Sequence, residues 1–188
     1  GARLLKVRDV MARGPDVLPR SAVHDLLQDM ASKILSVSHL HRKLADAPHN
    51  DEIEIAAYLV ESCGAMMSSL SLSHRADIVY HLGGKCLVSA EAAQTITLIV
   101  NEIVMNAVKH AYPTGISALI RIGCGRDDKG RTYIEVFDDG VGLPENFDEK
   151  IDGGLGFKLI HGLTKQIGAT LKIQSSDLGL LFRITLPA

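Results

Sequence analysis

The spacing of apolar residues divides the chain into a helical first part and a mixed second part. Over residues 21–44 apolar side chains recur mostly every three or four positions, as on one face of a helix. A shorter helical fragment covers 4–11, and after a Pro-containing break residues 51–67 continue as a helix. Antiparallel helices joined by a Gly/Pro elbow form a hairpin whose apolar stripes need a partner, usually another copy. We therefore expect residues 1–70 to form a helical hairpin that makes a homodimer.

From about Arg75 the pattern changes to short strands that alternate with helices. Ser89 suits the N-cap of a long helix, the Asp-Asp-Lys-Gly turn at 127–130 joins two strands into a hairpin, and Gly168 suits a helix C-terminus. The predicted strands cover 77–81, 118–124, 132–137, 170–174 and 181–186, and the predicted helices cover 89–111 and 155–167. This order predicts an α+β fold, with a two-layer α/β sandwich over residues 71–188.

Composition removes several classes of protein. The chain has 188 residues, a formal net charge of -2, 4% aromatic residues and no Trp, which argues against a nucleic-acid binder that uses a basic surface or stacking platforms. Its three cysteines are far apart and form no C-x-x-C pair, so we expect reduced thiols in a cytoplasmic protein. No apolar run is long enough to cross a membrane. The chain opens without Met, so we expect a piece of a longer protein.

The helix predicted over 89–111 carries a polar flank beside its apolar stripe. At about 100° per residue, Glu102, Asn106 and Lys109 fall together next to that stripe, with His110 at its edge. A solvated helix face would look the same. However, Asn is a poor helix former in a helix interior, which favours a role for Asn106.

A second candidate segment, 138–144, follows directly after a predicted strand and reads DDGVGLP. Asp138 continues the inward alternation of Ile134 and Val136, and burying a carboxylate costs several kcal/mol unless a donor meets it. An amino group on a flat heterocycle is one such donor. Gly140 and Gly142 let the backbone turn and approach a ligand. The alternative is an ordinary Asp-Asp-Gly turn.

A third segment, Gly153-Gly154-Leu155-Gly156, runs into the start of a predicted helix. Free amides and the positive end of the helix dipole make such a start an anion cradle, although glycine is also the generic loop residue. The segment is neither a Walker A sequence nor a dinucleotide fingerprint. Together, an amide that could bind a metal, a buried acceptor and a phosphate cradle predict a nucleoside triphosphate pocket.

These three segments resemble the boxes of GHKL-type ATPases, and of sensor histidine kinases in particular. Residues 101–111 (NEIVMNAVKHA) resemble the N box, 138–144 the G1 box, and Gly154-Leu155-Gly156 the G2 box. Residues 104–113, the Gly-Leu-Pro at 142–144 and the short stretch before the G2 box resemble more narrowly the HisKA_2 and HWE-related kinases. The resemblance covers about 75–187 and implies a GHKL (Bergerat) ATP-binding domain behind a dimerisation and phosphotransfer hairpin.

Two departures from the family pattern stand out. Residues 34–44 are similar to the second helix of the family's hairpin, whereas the phosphate-accepting histidine of such kinases lies on the first helix, in an H box that residues 1–19 lack. His41 matches a second-helix histidine, so we expect the acceptor to lie outside this chain or to be absent. The second departure is Leu180 after Gly179, where the family usually has Thr, so a phosphate contact from that Thr would be missing.

The resemblance implies a role for each site residue. Asn106 would coordinate Mg²⁺ on the phosphates of ATP, Glu102 would polarise a water, and Lys109, assisted by His110, would meet phosphate charge. Asp138 would accept the adenine amino group, with Gly140 and Gly142 letting the ring come close. The backbone of Gly154, Leu155 and Gly156 would contact the β- and γ-phosphates, and residues 145–153 would form a short ATP lid.

The function that the resemblance implies is that of an ATP-dependent protein-histidine kinase of a two-component system. It would pass the γ-phosphate through a histidine to an Asp of a response-regulator receiver domain. A non-catalytic dimeric phosphotransfer or scaffold protein that keeps the kinase fold is the main alternative, favoured by the missing H box. An ATPase of the gyrase or mismatch-repair kind fits less well, because a helical hairpin of this sort does not precede those domains.

Overall fold

The structure, a computed structural model, describes residues 52–70, 72, 76–111, 117–149 and 151–187. The predicted helices over 4–11 and 21–44, and with them most of the predicted hairpin, lie outside the described residues.

The described elements form a mixed α/β fold around one five-stranded sheet. In chain order they are β1 (Ile53–Glu54), α1 (Ile55–Ser69), β2 (Ala76–Leu82), β3 (Leu87–Val88), α2 (Ala90–Asn106) with a π-helical turn (Ala107–Ala111), β4 (Ala118–Arg126), β5 (Thr132–Asp138), α3 (Gly154–Gln166), β6 (Thr170–Ser176) and β7 (Gly179–Thr185). The sheet order is β2-β4-β5-β7-β6, in which β2 and β4 are parallel and the other pairs antiparallel.

Strand β5 lies in the middle of this sheet and alternates strictly between its two faces. Ile134, Val136 and Asp138 are buried on the helix-covered face, whereas Tyr133 and Glu135 are half-buried on the other. On that other face Arg183 of β7 lies 3.8 Å over the Tyr133 ring and donates to Glu135 at 2.7 Å. A face covered by its own arginines needs no second helical layer, which agrees with the predicted two-layer arrangement.

Helix α2 is the buried axis of the domain. Its start is as predicted, because the Ser89 hydroxyl accepts from the N–H of Ala92 at 3.2 Å. The apolar stripe that the spacing predicts for this helix, Ile96, Ile99, Ile103 and Ala107, is buried. Past Asn106 the helix widens into the π-helical turn, a distortion that occurs often at functional sites.

Helix α1 begins later than the sequence predicts. Residues 53–54 were expected to be helical, but Ile53 and Glu54 pair with β3, and the N–H of Ile55 donates to Cys86 at 3.1 Å. The helix then packs on α2, and its fully buried Leu59 belongs to the same core. The division of the chain near residue 70 stays a prediction.

Strands β6 and β7 are longer than predicted and are joined by a tight turn. The predicted strands stop at 174 and resume at 181, but Ser175 pairs with Leu180 and Ser176 with Gly179. Only Asp177 and Leu178 remain between the strands. The Ser, Asp and Gly composition of this segment is typical of a loop and concealed the pairing.

Candidate nucleotide site

The polar flank of α2 faces the start of α3. Glu102 is 7% exposed, and Asn106, one turn further on, is half-buried. A Cβ placed on Gly156 would lie 2.7 Å from the Glu102 Oε1 and 3.4 and 3.5 Å from the Nδ2 and Oδ1 of Asn106. The N-box flank and the G2 glycine are therefore in direct contact.

The Asn106 amide is an unsatisfied polar group. Its Nδ2 is buried, and no donor or acceptor in the described part of the chain pairs with it. Leaving such an atom unpaired costs about 1–3 kcal/mol, and buried polar atoms without a partner are rare in native proteins. The amide is therefore suited to a ligand beside Gly156.

Lys109 and His110 lie on the π-helical turn, beyond Asn106. Lys109 is half-buried and His110 is exposed. They therefore stand at the end of α2 that leads toward the G1 segment.

Asp138, the last residue of β5, is 3% exposed, as the alternation predicts. Its register neighbours on the same face are Ile120 of β4 and Leu180 of β7. Burial raises the pKa of its carboxyl group, and the N–H of Gly140, which donates at 3.1 Å, lowers it in part. Since that N–H is the one donor to this carboxylate within the described residues, an incoming amino group would relieve its desolvation.

The glycines of the G1 loop (residues 138–144) are required by protein packing. A side chain on Gly140 would collide with the Ala111 carbonyl and approach its Cβ at 2.6 Å. Gly142 has a φ of 66° and lies against the Ser175 hydroxyl and the Ser176 carbonyl. We expected these glycines to make room for a base, but contacts within the protein already require them. Their contact with a nucleotide stays a prediction.

The start of α3 offers free backbone amides. Gly153 occupies the N-cap position and supplies no capping side chain, and Gly154 has open space around it. Leu155 is 71% exposed. Uncapped first-turn N–H groups at a helix N-terminus are suited to an anion, which fits the predicted phosphate cradle.

The described residues of the predicted lid (145–153) lie along α3. Phe147 packs on Phe157 of α3 with ring centroids 5.4 Å apart, and Glu149 contacts His161 at 2.8 Å. Lid and helix border a cleft of about 750 Å³ lined by Phe147, Asp148, Glu149, Lys158 and His161. None of the predicted site residues lines this cleft.

One buried polar contact next to the site was missed. Asn101 was quoted as part of the N box without a role, yet its Nδ2 donates to Ser62 of α1 at 3.1 Å and its Oδ1 accepts from the Cys63 thiol at 3.6 Å. Burial raises the pKa of Cys63 to about 12. The spacing of Asn101 and Asn106 could have indicated that they have different partners, because residues five apart on a helix point in different directions. Asn101 therefore joins α1 to α2, while Asn106 faces Gly156.

Comparison with known proteins identifies the family of the chain. Residues 75–185, more than half of it, match the family described as histidine kinase-like ATPase domain. The chain belongs to this family, and the resemblance to sensor histidine kinases of the HisKA_2 and HWE-related type is confirmed.

Two curated relatives are kinases by name. The blue-light-activated histidine kinase 2 of Erythrobacter litoralis is 30% identical over 100 residues, which is 53% of this chain and 29% of that protein. The sensor histidine kinase PdtaS of Mycobacterium tuberculosis is 21% identical over 140 residues, 74% of this chain and 27% of that protein. The chain thus spans less than a third of either relative.

A solved structure supports the fold. The histidine kinase domain of the Erythrobacter litoralis EL346 blue-light activated histidine kinase superimposes with a TM-score of 0.71 at 24% identity, covering 84% of this chain and 73% of that one. In the described residues, no helix is long and apolar enough to cross a membrane. The individual roles of the site residues stay predictions.

Proposed function

We propose that this chain is the ATP-binding catalytic part of a two-component histidine kinase. It would transfer the γ-phosphate of ATP to a histidine and from there to an Asp of a response-regulator receiver domain. The observation that carries the proposal is the unpaired Nδ2 of Asn106 beside Gly156, a donor that an oxygen of a triphosphate at the start of α3 would accept from. Membership of the histidine kinase-like ATPase family supports it.

The base would be recognised by Asp138. A carboxylate that is buried, that has one backbone donor and that lies between Ile120 and Leu180 gains most from a further donor. The exocyclic amino group of adenine is such a donor, and a purine with a carbonyl oxygen at that position is not. This pocket would therefore prefer ATP to ITP and GTP.

The phosphates would be held by backbone and amide groups. The amides of Gly154, Leu155 and Gly156 would donate to the β- and γ-phosphates, and Lys109 would neutralise phosphate charge. Asn106 fits a Mg²⁺ ion, because a neutral amide oxygen suits a hard cation that keeps most of its waters and binds the substrate phosphates. When bound, the ion neutralises charge on the phosphate oxygens. No group of His, Cys, Asp and Glu in the described residues forms an alternative metal site.

The transfer itself would depend on positioning. The nitrogen of the acceptor imidazole forms a bond to the γ-phosphorus, the bond from that phosphorus to the β–γ bridging oxygen breaks, and ADP leaves. Glu102, with its Oε1 beside Gly156, would orient a water near the triphosphate. His110, exposed at the end of the π-helical turn, would assist Lys109.

Titration calorimetry with ATP and Mg²⁺ tests the pocket. We expect Asn106→Asp and Asp138→Asn to weaken binding at least tenfold, because a buried polar contact is worth about 1.5–3 kcal/mol when one partner is charged. Asp128→Asn in the β4–β5 turn and Gln166→Glu at the end of α3 are matched controls at exposed positions and should bind as the wild type does. Binding that is absent, or that is unchanged in Asp138→Asn, would overturn the proposal.

The chemical step needs the full-length protein. Incubation with radiolabelled ATP should give acid-labile, base-stable phosphate, which Asn106→Asp abolishes. Acid-stable label would indicate a Ser/Thr kinase instead. Binding of ATP without incorporation of label would indicate a dimeric scaffold or phosphotransfer protein that keeps the kinase fold. Sedimentation should show the homodimer formed through residues 1–70, and only monomer at tens of micromolar would contradict that part.

A further inference from the structure

The tip of the β6–β7 hairpin holds one side of the G1 loop. The N–H of Leu143 donates to the Ser175 hydroxyl at 2.7 Å, and Gly142 lies against the Ser176 carbonyl. At the other end of the loop Gly179 lies on the Asp138 backbone, since a Cβ there would overlap the Asp138 carbonyl oxygen. The hairpin tip (residues 175–179) therefore contacts both ends of the loop that carries the buried acid.

The end of the π-helical turn holds the other side of the same loop. The N–H of Val141 donates to the Ala111 carbonyl at 2.9 Å, and Gly140 packs on the same residue. Two amides two residues apart, Val141 and Leu143, thus donate to two different supports. These bonds fix the loop between α2 and the hairpin tip, in addition to the bond within the loop from Gly140 to Asp138.

Among the hydrogen bonds that tie the loop to its two supports, the one to a side chain is the bond from Leu143 to the Ser175 hydroxyl. The other contacts do not use this hydroxyl, so they persist when it is removed. The loop is short, and the N–H of Gly140 within it is the donor to the Asp138 carboxylate. A shift at Leu143 would therefore be passed along the loop to the donor that orients this carboxylate.

We propose that Ser175 is a positioning residue for recognition of the purine base. Its hydroxyl fixes the G1 loop in the conformation that aims Asp138 at the base, although Ser175 itself lies two strands away from that acid in the sheet. The inference rests on the proposed function, in which Asp138 accepts the adenine amino group.

The test compares Ser175→Ala with Ser175→Thr, which keeps a hydroxyl. Loss of one hydrogen bond predicts about five- to tenfold weaker ATP binding in Ser175→Ala, and near wild-type binding in Ser175→Thr. ITP, which lacks the amino group, should lose less affinity, so the ratio of ATP to ITP affinity falls toward one. A general loss of stability would weaken both nucleotides equally.

Ser176→Ala is the matched control on the same hairpin. Its hydroxyl accepts from the N–H of Leu178 at 3.2 Å, inside the hairpin tip, and its removal should leave ATP affinity unchanged. Hydrogen exchange of the Leu143 amide adds a readout that needs no nucleotide, because protection should fall in Ser175→Ala and persist in Ser176→Ala.

The outcomes separate the two proposals. If the wild type binds ATP through Asp138 while Ser175→Ala keeps both its affinity and its ATP preference, the positioning role is wrong and the kinase pocket stands. Equal losses in Ser175→Ala and Ser176→Ala would also overturn it, since they indicate damage to the hairpin. If the wild type does not bind ATP, both proposals fall.

Discussion

The substitution Gly156→Ala distinguishes an effect on nucleotide binding from an effect on folding. The new Cβ would lie 2.7 Å from the Glu102 Oε1, a distance that forces the carboxylate to move, and 3.4 Å from the unpaired Nδ2 of Asn106. The carboxylate is the end of a flexible side chain, so it can rotate away without displacing α2. The space beside Asn106 cannot be kept, because the methyl group fills it.

The expected result for Gly156→Ala is a folded protein that no longer binds ATP well. Alanine suits a helical backbone better than glycine by about 0.5–1 kcal/mol, which offsets much of the cost of moving Glu102. We expect Tm to change by no more than a few degrees, while the Kd for ATP rises at least tenfold. Thermal unfolding by circular dichroism and titration calorimetry measure the two quantities on the same sample.

The control is Gly162→Ala on the same helix. A Cβ on Gly162 meets nothing within 4 Å, so the substitution adds helix propensity alone. It should raise Tm by about 2–4 °C, the shift expected for about 1 kcal/mol in a domain of this size, and leave ATP binding unchanged. Wild-type affinity in Gly156→Ala would refute the view that the triphosphate lies between α2 and the start of α3.

Three further predictions concern buried polar groups and are measured by urea unfolding or thiol labelling. Burial raises the pKa of Asp138 above its usual 3.8, so its ionised form opposes folding at pH 7. Asp138→Asn should therefore have the higher free energy of unfolding at pH 7. This difference should shrink as the pH falls toward 3.8, because the wild-type carboxyl group becomes protonated. An advantage that grows on acidification would show the opposite sign. Asn101→Ala should lower the free energy of unfolding by about 1–3 kcal/mol, whereas Asn106→Ala, whose Nδ2 has no partner in the described residues, should cost little; equal costs would contradict this. Burial also raises the pKa of Cys63 and Cys124 to about 12. Neither thiol should therefore react with a disulfide reagent at pH 8 until urea unfolds the protein. Labelling of the native protein at either position would contradict the burial.

The sequence was sufficient where short-range rules decide the structure. Ser89 caps α2 because its hydroxyl needs only the amide of Ala92, three residues away. The burial of Asp138 follows from the two-residue period of β5, which any strand must keep. The contact of the N box with Gly156 follows from no local rule; it could be expected only from the chemistry of the segments taken together and from the family resemblance.

The sequence was insufficient where partners are distant in the chain. Asn101 meets Ser62 across 39 positions, and nothing in the pattern of α2 says which helix will cover it. Ile53 and Glu54 look helical by composition, yet pairing with β3 overrides that preference. Gly142 was assigned to a ligand because a sequence does not reveal that the hairpin tip would occupy the same space.

The π-helical turn has a mechanical consequence. Its last carbonyl, on Ala111, is bonded to Val141 of the G1 loop, so the helix that presents Asn106 and the loop that follows Asp138 are joined backbone to backbone. The two are coupled, and a rotation of α2 would carry the G1 loop with it. Helix α3 in turn packs on α2, with Gly156 beside Glu102 and with Phe157 and Ile160 buried in the core. The backbone bond would therefore hold constant the spacing between Asp138, which would read the base, and Asn106, which would meet the phosphates.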